Sequence, residues 1–199
     1  MEDIMRPNYT HLIIVLDKSG SMADLASDTI GGVNRLVAEQ KALPGNFTSS
    51  LYLFNGLVSE VDTFVELNTT NYQPQGSTAL LDAVCIAIDT EGLELSRLPE
   101  KHRPDKVIVL IVTDGQENAS VKFKREDVRT RIKTQTDTYK CSLSFWVPTS
   151  MPLLKPVHSE FPLTAPSNST SLHKASPIPI VQRLVLWQII GPIRQRIWI

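Results

Sequence analysis

Two uninterrupted aliphatic runs dominate the pattern of apolar and polar positions: Leu12 to Leu16 (LIIVL) and Lys106 to Val112 (KVIVLIV). Short runs of this kind, bounded by polar residues, read as strands buried on both faces of a parallel sheet. Between them, Asp24 to Lys41 carries Leu25, Ile30, Val33, Leu36 and Val37 at helical spacing, with Gly31 and Gly32 as weak points and Pro44-Gly45 as its close. Ser50 to Asn55 (SLYLFN) predicts a further strand, and Asn55-Gly56 a hairpin. Leu57 to Leu67 then alternates apolar and polar as a half-exposed antiparallel edge strand does, with Glu60, Asp62 and Glu66 guarding the edge. Ala79, Leu80, Ala83, Val84, Ala87 and Ile88 predict a helix opened by the turn-rich Tyr72–Thr78. Arg125 to Thr138 is polar apart from Val128 and Ile132 and predicts a surface helix starting after Lys124.

The order is strand, helix, hairpin, helix, strand, helix. It predicts an α/β layout with right-handed crossovers and the two aliphatic strands side by side.

Length and charge narrow the classes. A chain of 199 residues fits one domain with room for an appendage. A net charge of −1 gives no electrostatic case for nucleic acid or acidic membranes. Cys85 and Cys141 make no disulfide framework, and Cys85 falls within the apolar helical pattern as a core residue. The N-terminal MEDIMRPNYT has acidic residues and no apolar segment of a secretory signal, so a cytosolic protein is expected. The Asn-x-Ser/Thr triplets at Asn8, Asn46, Asn68, Asn118 and Asn168 then carry no meaning as glycosylation sites. No Walker A, Gly-x-Gly-x-x-Gly or nucleophile elbow is present, and the four histidines show no ligand spacing.

Chemistry gathers where the strands end. The first aliphatic run stops in Asp17-Lys18-Ser19-Gly20-Ser21, in the loop position where open α/β sheets place their ligands. One carboxylate and two hydroxyls make a hard-oxygen site suited to Mg²⁺, which keeps several waters and takes few charged ligands. A plain strand-to-helix turn capped by Ser21 or Asp24 is the alternative. The second run also ends in a carboxylate, Thr113-Asp114-Gly115, and a third loop offers Gly76-Ser77-Thr78 at the head of a helix, where Ser77 or Thr78 could simply cap. On adjacent parallel strands Asp17 and Asp114 converge at one end of the sheet, and Ser19, Ser21 and Thr78 can complete a near-octahedral oxygen cage.

Asp17-x-Ser19-x-Ser21, Thr78 in GSTAL and Asp114 in TDG resemble, in order and spacing, the metal ion-dependent adhesion site of the von Willebrand factor A (vWA) family. TDGQENAS resembles small soluble bacterial or phage members, and the resemblance covers about residues 9–140. It implies a Rossmann-like open, mostly parallel sheet with one antiparallel edge strand and helices on both faces, over residues 1–140. It further implies direct Mg²⁺ (or Mn²⁺) ligation by Ser19, Ser21 and Thr78. Asp17 and Asp114 would act mainly through waters and hydrogen-bonded hydroxyls. A mostly neutral direct shell keeps the ion electrophilic, so that a protein partner's carboxylate takes the open position. The implied function is binding, not catalysis. A Mg²⁺-dependent phosphoryl-transfer enzyme on a similar sheet is the rival, but it would want a second acid near Asp17, where Lys18 and Ser19 stand. Glu117 and Asn118 either shape a ligand rim or lie in a solvated loop. Asp82 either ligates or sits favourably in a helix's first turn.

Composition changes after Cys141. Residues 142–199 hold one acidic residue of 21, Glu160, and eight of 13 prolines, which exclude sustained helix or central strand and mark an irregular C-terminal tail over 141–199. Trp187 to Ile199 is apolar but interrupted by Gln188, Pro192, Arg194 and Arg196, so it is no membrane span. The family resemblance requires another parallel strand here. Back-translation one base out of frame lets the codons of residues 142–152 spell Gln-Phe-Ile-Phe-Leu-Gly-Ala-Asn-Gln-Tyr-Ala, a strand and a glycine turn. A one-base shift near Lys140 or Cys141 is the expectation, with a divergent Pro-rich extension as the alternative. Losing that strand would uncover one edge of Lys106–Val112 and leave a non-functional fragment as a further reading.

Overall fold

A computed structural model of the chain describes residues 8–61, 66–114, 116–139 and 142–146. The sheet has five strands: β1 (Tyr9–Asp17), β2 (Asn46–Phe54), β3 (Val58–Val61), β4 (Lys106–Val112) and β5 (Ser142–Trp146). Their order is β3-β2-β1-β4-β5. β1 lies parallel to both β2 and β4, β4 is parallel to β5, and β3 alone is antiparallel, against β2. The helices are α1 (Ala26–Lys41), α2 (Leu80–Arg97) and α3 (Arg125–Tyr139). The two aliphatic runs are neighbours, as the pattern predicts: Leu12 pairs with Ile108 and Leu16 with Val112.

Period-two alternation divides the core between the two faces of the sheet. Ile13, Val15, Tyr52, Phe54, Val109 and Ile111 pack under Leu80, Val84 and Ile88 of α2 and Val128 and Ile132 of α3. Leu12, Ile14, Leu16, Leu51, Leu53, Ile108, Leu110 and Val112 meet Val33, Leu36 and Val37 of α1 on the other side. Each fully buried aliphatic of β1 contributes about 1.5–3 kcal/mol relative to exposure, which fixes β1 as the centre of the domain. Cys85 is a buried free thiol of this core, and burial pushes its pKa up to about 12.

One polar cluster crosses the core. His11 of β1 contacts Thr48 Oγ1 through Nδ1 at 2.7 Å and Glu91 Oε2 of α2 through Nε2 at 3.0 Å. The Tyr52 hydroxyl donates to Glu91 Oε1 at 3.1 Å. Burial alone would push the Glu91 carboxyl up; hydrogen bonds from His11, Ser50 and Tyr52 and the proximity of His11 outweigh it and hold the group below its ordinary value.

Four sequence expectations are corrected. β2 starts at Asn46, four residues before the expected strand, because its polar beginning pairs with Tyr9–Leu12 along the full length of β1. The predicted edge strand does not run on to Leu67: Leu67 is buried in the α1 cluster, its backbone held at both N–H and C=O by Asn34 at 2.8 Å. The edge-guarding side chains of Glu60 and Asp62 lie outside the described residues. The segment Gly20–Leu25 forms a 3₁₀ turn before α1, and no side-chain hydrogen bond from Ser21 or Asp24 caps either element. The β4 edge expected to be bare is covered: Ser142–Trp146, Pro-free because the prolines begin at Pro148, pairs with Ile108–Val112. β5 therefore extends the sheet past residue 140. The tail from residue 147, with every expectation about it, lies outside the described residues.

Candidate metal centre

Because β1 and β4 are parallel neighbours, Asp17 at the end of β1 and Asp114, two residues beyond β4, come to the same end of the sheet. A chain of short hydrogen bonds joins them. Asp17 Oδ1 accepts from the Ser19 backbone N–H at 2.7 Å. Ser19 Oγ lies 3.2 Å from Ser21 Oγ, and Ser21 Oγ donates to Asp114 Oδ1 at 2.9 Å. The other Asp17 oxygen accepts from Thr113 Oγ1 at 2.6 Å.

Thr78 reaches this end of the sheet through its loop. Gln75 N–H donates to the Lys18 carbonyl at 2.7 Å and Gly20 N–H to the Gly76 carbonyl at 3.0 Å, so the Thr78 loop is zipped onto the Asp17 loop. Gly76 adopts φ +82° at that junction, a conformation that favours glycine. The Thr78 backbone is fixed on its other side by Asn118, whose Oδ1 accepts from Thr78 N–H at 2.9 Å and whose N–H donates to the Thr78 carbonyl at 3.0 Å. The structure thus links Asp17, Ser19, Ser21 and Asp114 by direct contacts and Thr78 by its backbone.

The electrostatics of the site are dominated by the burial of Asp17. Asp17 is fully buried, and Ser19 nearly so. Burial pushes the Asp17 carboxyl above its ordinary value, and nearby Asp114 adds to this, while the bonds from Thr113 and Ser19 act against it. Among the described residues, no Lys, Arg or His forms an ion pair with Asp17 or Asp114. Nor does any group of three His, Cys, Asp or Glu side chains come together there. The donor set is two carboxylates and alcohol oxygens, which suits a hard divalent cation rather than a soft one.

The loop after Asp114 is anchored to the start of α2, and Asp82 lies in that helix's first turn, as one of its two readings expects. Glu117 is no loose solvated side chain: its carboxylate accepts from the N–H groups of Leu81, Ala119 and Ser120 and from Ser120 Oγ at 2.7–3.0 Å. Asp82 in the first turn of α2 accepts from the N–H groups of Val121, Lys122 and Phe123 at 2.8–3.2 Å. Caps on α2 come from this loop rather than from Ser77 or Thr78: Glu117 satisfies Leu81 N–H and Ser120 Oγ satisfies Asp82 N–H. Two residues that sequence reasoning missed support Asp17, namely Thr113 and Tyr72, whose hydroxyl donates to the Asp17 carbonyl at 2.6 Å. Thr113 had a signal in its place beside Asp114 at the end of a buried strand; Tyr72 had none beyond being a large aromatic in a turn-rich loop.

A mostly parallel sheet with one antiparallel edge strand and helices on both faces is the Rossmann-like α/β fold that the vWA resemblance implies. No family model matches the chain, and no curated protein matches its sequence. Among solved structures, it is similar to manganese-loaded TRAP protein of Plasmodium vivax, at 16% identity and TM-score 0.49 over 73% of this chain and 58% of that one. It is also similar to the ArnB paralog VWA2 of Sulfolobus acidocaldarius, at 17% identity and TM-score 0.42 over 71% of this chain and 35% of that one. A third is proximal thread matrix protein 1 of the mussel byssus, at 16% identity and TM-score 0.45, again over 71% and 35%. The chain therefore spans between about a third and three-fifths of the length of these three structures.

Proposed function

We propose that the protein is a divalent-metal-dependent protein-binding module without catalytic activity. The observation that carries this reading is the buried Asp17, linked through Ser19 and Ser21 to Asp114, with no cationic side chain paired to either carboxylate among the described residues. A divalent cation placed between two carboxylates that no cationic side chain pairs would be attracted by both. Mg²⁺ or Mn²⁺ fits the all-oxygen donor set. Ser19, Ser21 and Thr78 would hold the ion directly, with Asp17 and Asp114 acting through waters and through the hydroxyls they already contact. The bound ion supplies an electrophilic position that accepts a carboxylate from a protein partner.

Binding is favoured over phosphoryl transfer by the state of Asp17. Both of its oxygens are engaged, by Ser19 N–H and Thr113 Oγ1, and the residue is 0% exposed, so it offers no free nucleophile. Thr113 and Tyr72 position Asp17 and are not expected to touch a ligand. A cytosolic setting suits the reduced Cys85 thiol, and among the described residues no helix is long and apolar enough to cross a membrane. The test is Mg²⁺-dependent capture of a carboxylate-bearing partner, reversed by chelator and lost in Asp114→Ala. Mg²⁺-dependent hydrolysis of p-nitrophenyl phosphate, abolished by Asp17→Asn, would replace this reading with the enzymatic one.

A further inference from the structure

Asn55 directly follows β2, and it binds the loop of Thr78 on both sides of that residue. Its side-chain Nδ2–H donates to the Gln75 carbonyl at 3.0 Å, and its backbone carbonyl accepts from Ala79 N–H at 2.7 Å. Asn118 holds the same loop through Thr78 N–H and the Thr78 carbonyl. Thr78 is thus tied to two asparagines, one at the end of β2 and one in the loop after β4. One residue before Asn55, the Phe54 carbonyl accepts from Lys18 N–H at 2.7 Å, so the end of β2 also grips the Asp17 loop.

The side-chain amide of Asn55 is used at both ends. Oδ1 accepts from Leu57 N–H at 3.1 Å within the hairpin tip, while Nδ2 faces the Gln75 carbonyl. A backbone N–H only donates and a carbonyl only accepts, so this position needs an acceptor and a donor on one planar group. An amide supplies both; a carboxylate supplies the first alone. Hairpin tip and loop are in close contact: a Cβ on Gly76 would lie 3.5 Å from Asn55 Nδ2, and one on Gly56 only 2.8 Å from Ser77 Oγ. Turn formation does not account for Asn55-Gly56. A type I′ hairpin turn requires positive φ at both central residues, and the glycines with positive φ among the described residues are Gly45 and Gly76.

We propose that Asn55 is a positioning residue for Thr78: its amide clamps the hairpin tip to the loop and fixes the backbone that carries the Thr78 hydroxyl for the divalent cation. This rests on the metal reading above and adds to it a residue that touches neither the ion nor a partner. Groups that orient a metal's ligands from outside typically change its affinity about 10–100-fold.

Asn55→Asp separates this role from that of a turn former. Asp-Gly suits a hairpin as Asn-Gly does, and Asp keeps the acceptor for Leu57 N–H, but it sets an oxygen against the Gln75 carbonyl. Titration of the full-length protein with Mg²⁺ or Mn²⁺ should show affinity at least ~10-fold weaker in this variant. The added negative charge by itself attracts a cation, so a loss of affinity is not a charge effect. Asn55→Ser is neutral, can still serve Leu57 N–H and is too short to reach Gln75; it should weaken binding comparably. In both metal-free variants, amide exchange at Gln75 and Ala79 should accelerate while β1 exchanges as slowly as in the parent. Unchanged or tighter metal binding in either variant, or unaltered exchange at Gln75 and Ala79, would overturn this proposal and leave the metal reading intact. Faster exchange throughout β1 would mark a general loss of stability and overturn it as well. A parent protein that binds neither Mg²⁺ nor Mn²⁺ would overturn both.

Discussion

Ser21 Oγ donates to Asp114 Oδ1 at 2.9 Å although the two residues are 93 positions apart in the chain. The contact exists because β1 and β4 are adjacent and parallel, so that residues just beyond each strand meet at one sheet end. Ser21→Ala removes both a candidate ligand and the hydroxyl that orients Asp114. Loss of such an orienting group typically lowers metal affinity about 10–100-fold. Ser21 is exposed, so the melting curve of the metal-free protein should change little while Mn²⁺ affinity, read by calorimetry or electron paramagnetic resonance, falls by that factor.

Thr113 makes the complementary prediction for stability. Its Oγ1 donates to the buried Asp17 carboxylate at 2.6 Å. Thr113→Val deletes the donor without altering volume much and leaves one carboxylate oxygen without that partner. A hydrogen bond to a charged group contributes about 1.5–3 kcal/mol, and urea unfolding of Thr113→Val should show a loss in that range. Thr113→Ser should restore most of it.

Acid sensitivity should be traceable to Glu91. Its carboxyl lies below its ordinary value of 4.5 in the folded protein. A depressed acid contributes stability that is present above its unfolded value and lost as pH falls through the folded one. Urea midpoints measured from neutral pH downward should therefore drop more steeply below about pH 4.5 in the parent than in Glu91→Gln. A parallel decline of the two proteins would contradict the role given to the His11–Glu91–Tyr52 cluster.

Asp82 holds the loop after Asp114. Asp82→Ala strips the acceptor from the N–H groups of Val121, Lys122 and Phe123. Amide hydrogen exchange at these three residues should accelerate while exchange in β1 stays slow, since the strand ladder does not involve Asp82. The loss of stability should be about 3 kcal/mol.

Much of this architecture can be read directly from the chain. The aliphatic runs at Leu12–Leu16 and Lys106–Val112 identify the two central strands because a parallel strand buried on both faces has no polar positions. Asp17 and Asp114 follow from the abrupt ends of those runs. What escaped pattern reading depends on tertiary contact. Leu67 continues an alternating pattern yet leaves the sheet edge for the α1 cluster because Asn34 captures its backbone. Glu117 and Asp82 look like surface acids in the sequence, and only the packing of the loop against α2 turns them into acceptors for backbone donors. The β5 strand was hidden by the prolines that follow it, although Ser142–Trp146 itself contains none.

The frame-shift reading makes its own prediction. The coding sequence downstream of codon 141 should, one base out of frame, stay open and spell Phe-Ile-Phe-Leu-Gly-Ala-Asn-Gln across the stretch that now encodes β5 and the start of the Pro-rich tail. An alternative frame closed by stop codons would remove the idea and leave a genuine Pro-rich extension.

The central claim concerns one ion shared by loops from two neighbouring strands, and isothermal titration of the full-length protein with Mg²⁺ or Mn²⁺ tests it most directly. Saturable one-to-one binding is predicted, weakened at least ~10-fold in Asp114→Ala with the fold preserved by circular dichroism. A titration with no saturable heat, or one that Asp114→Ala leaves unchanged, would contradict it.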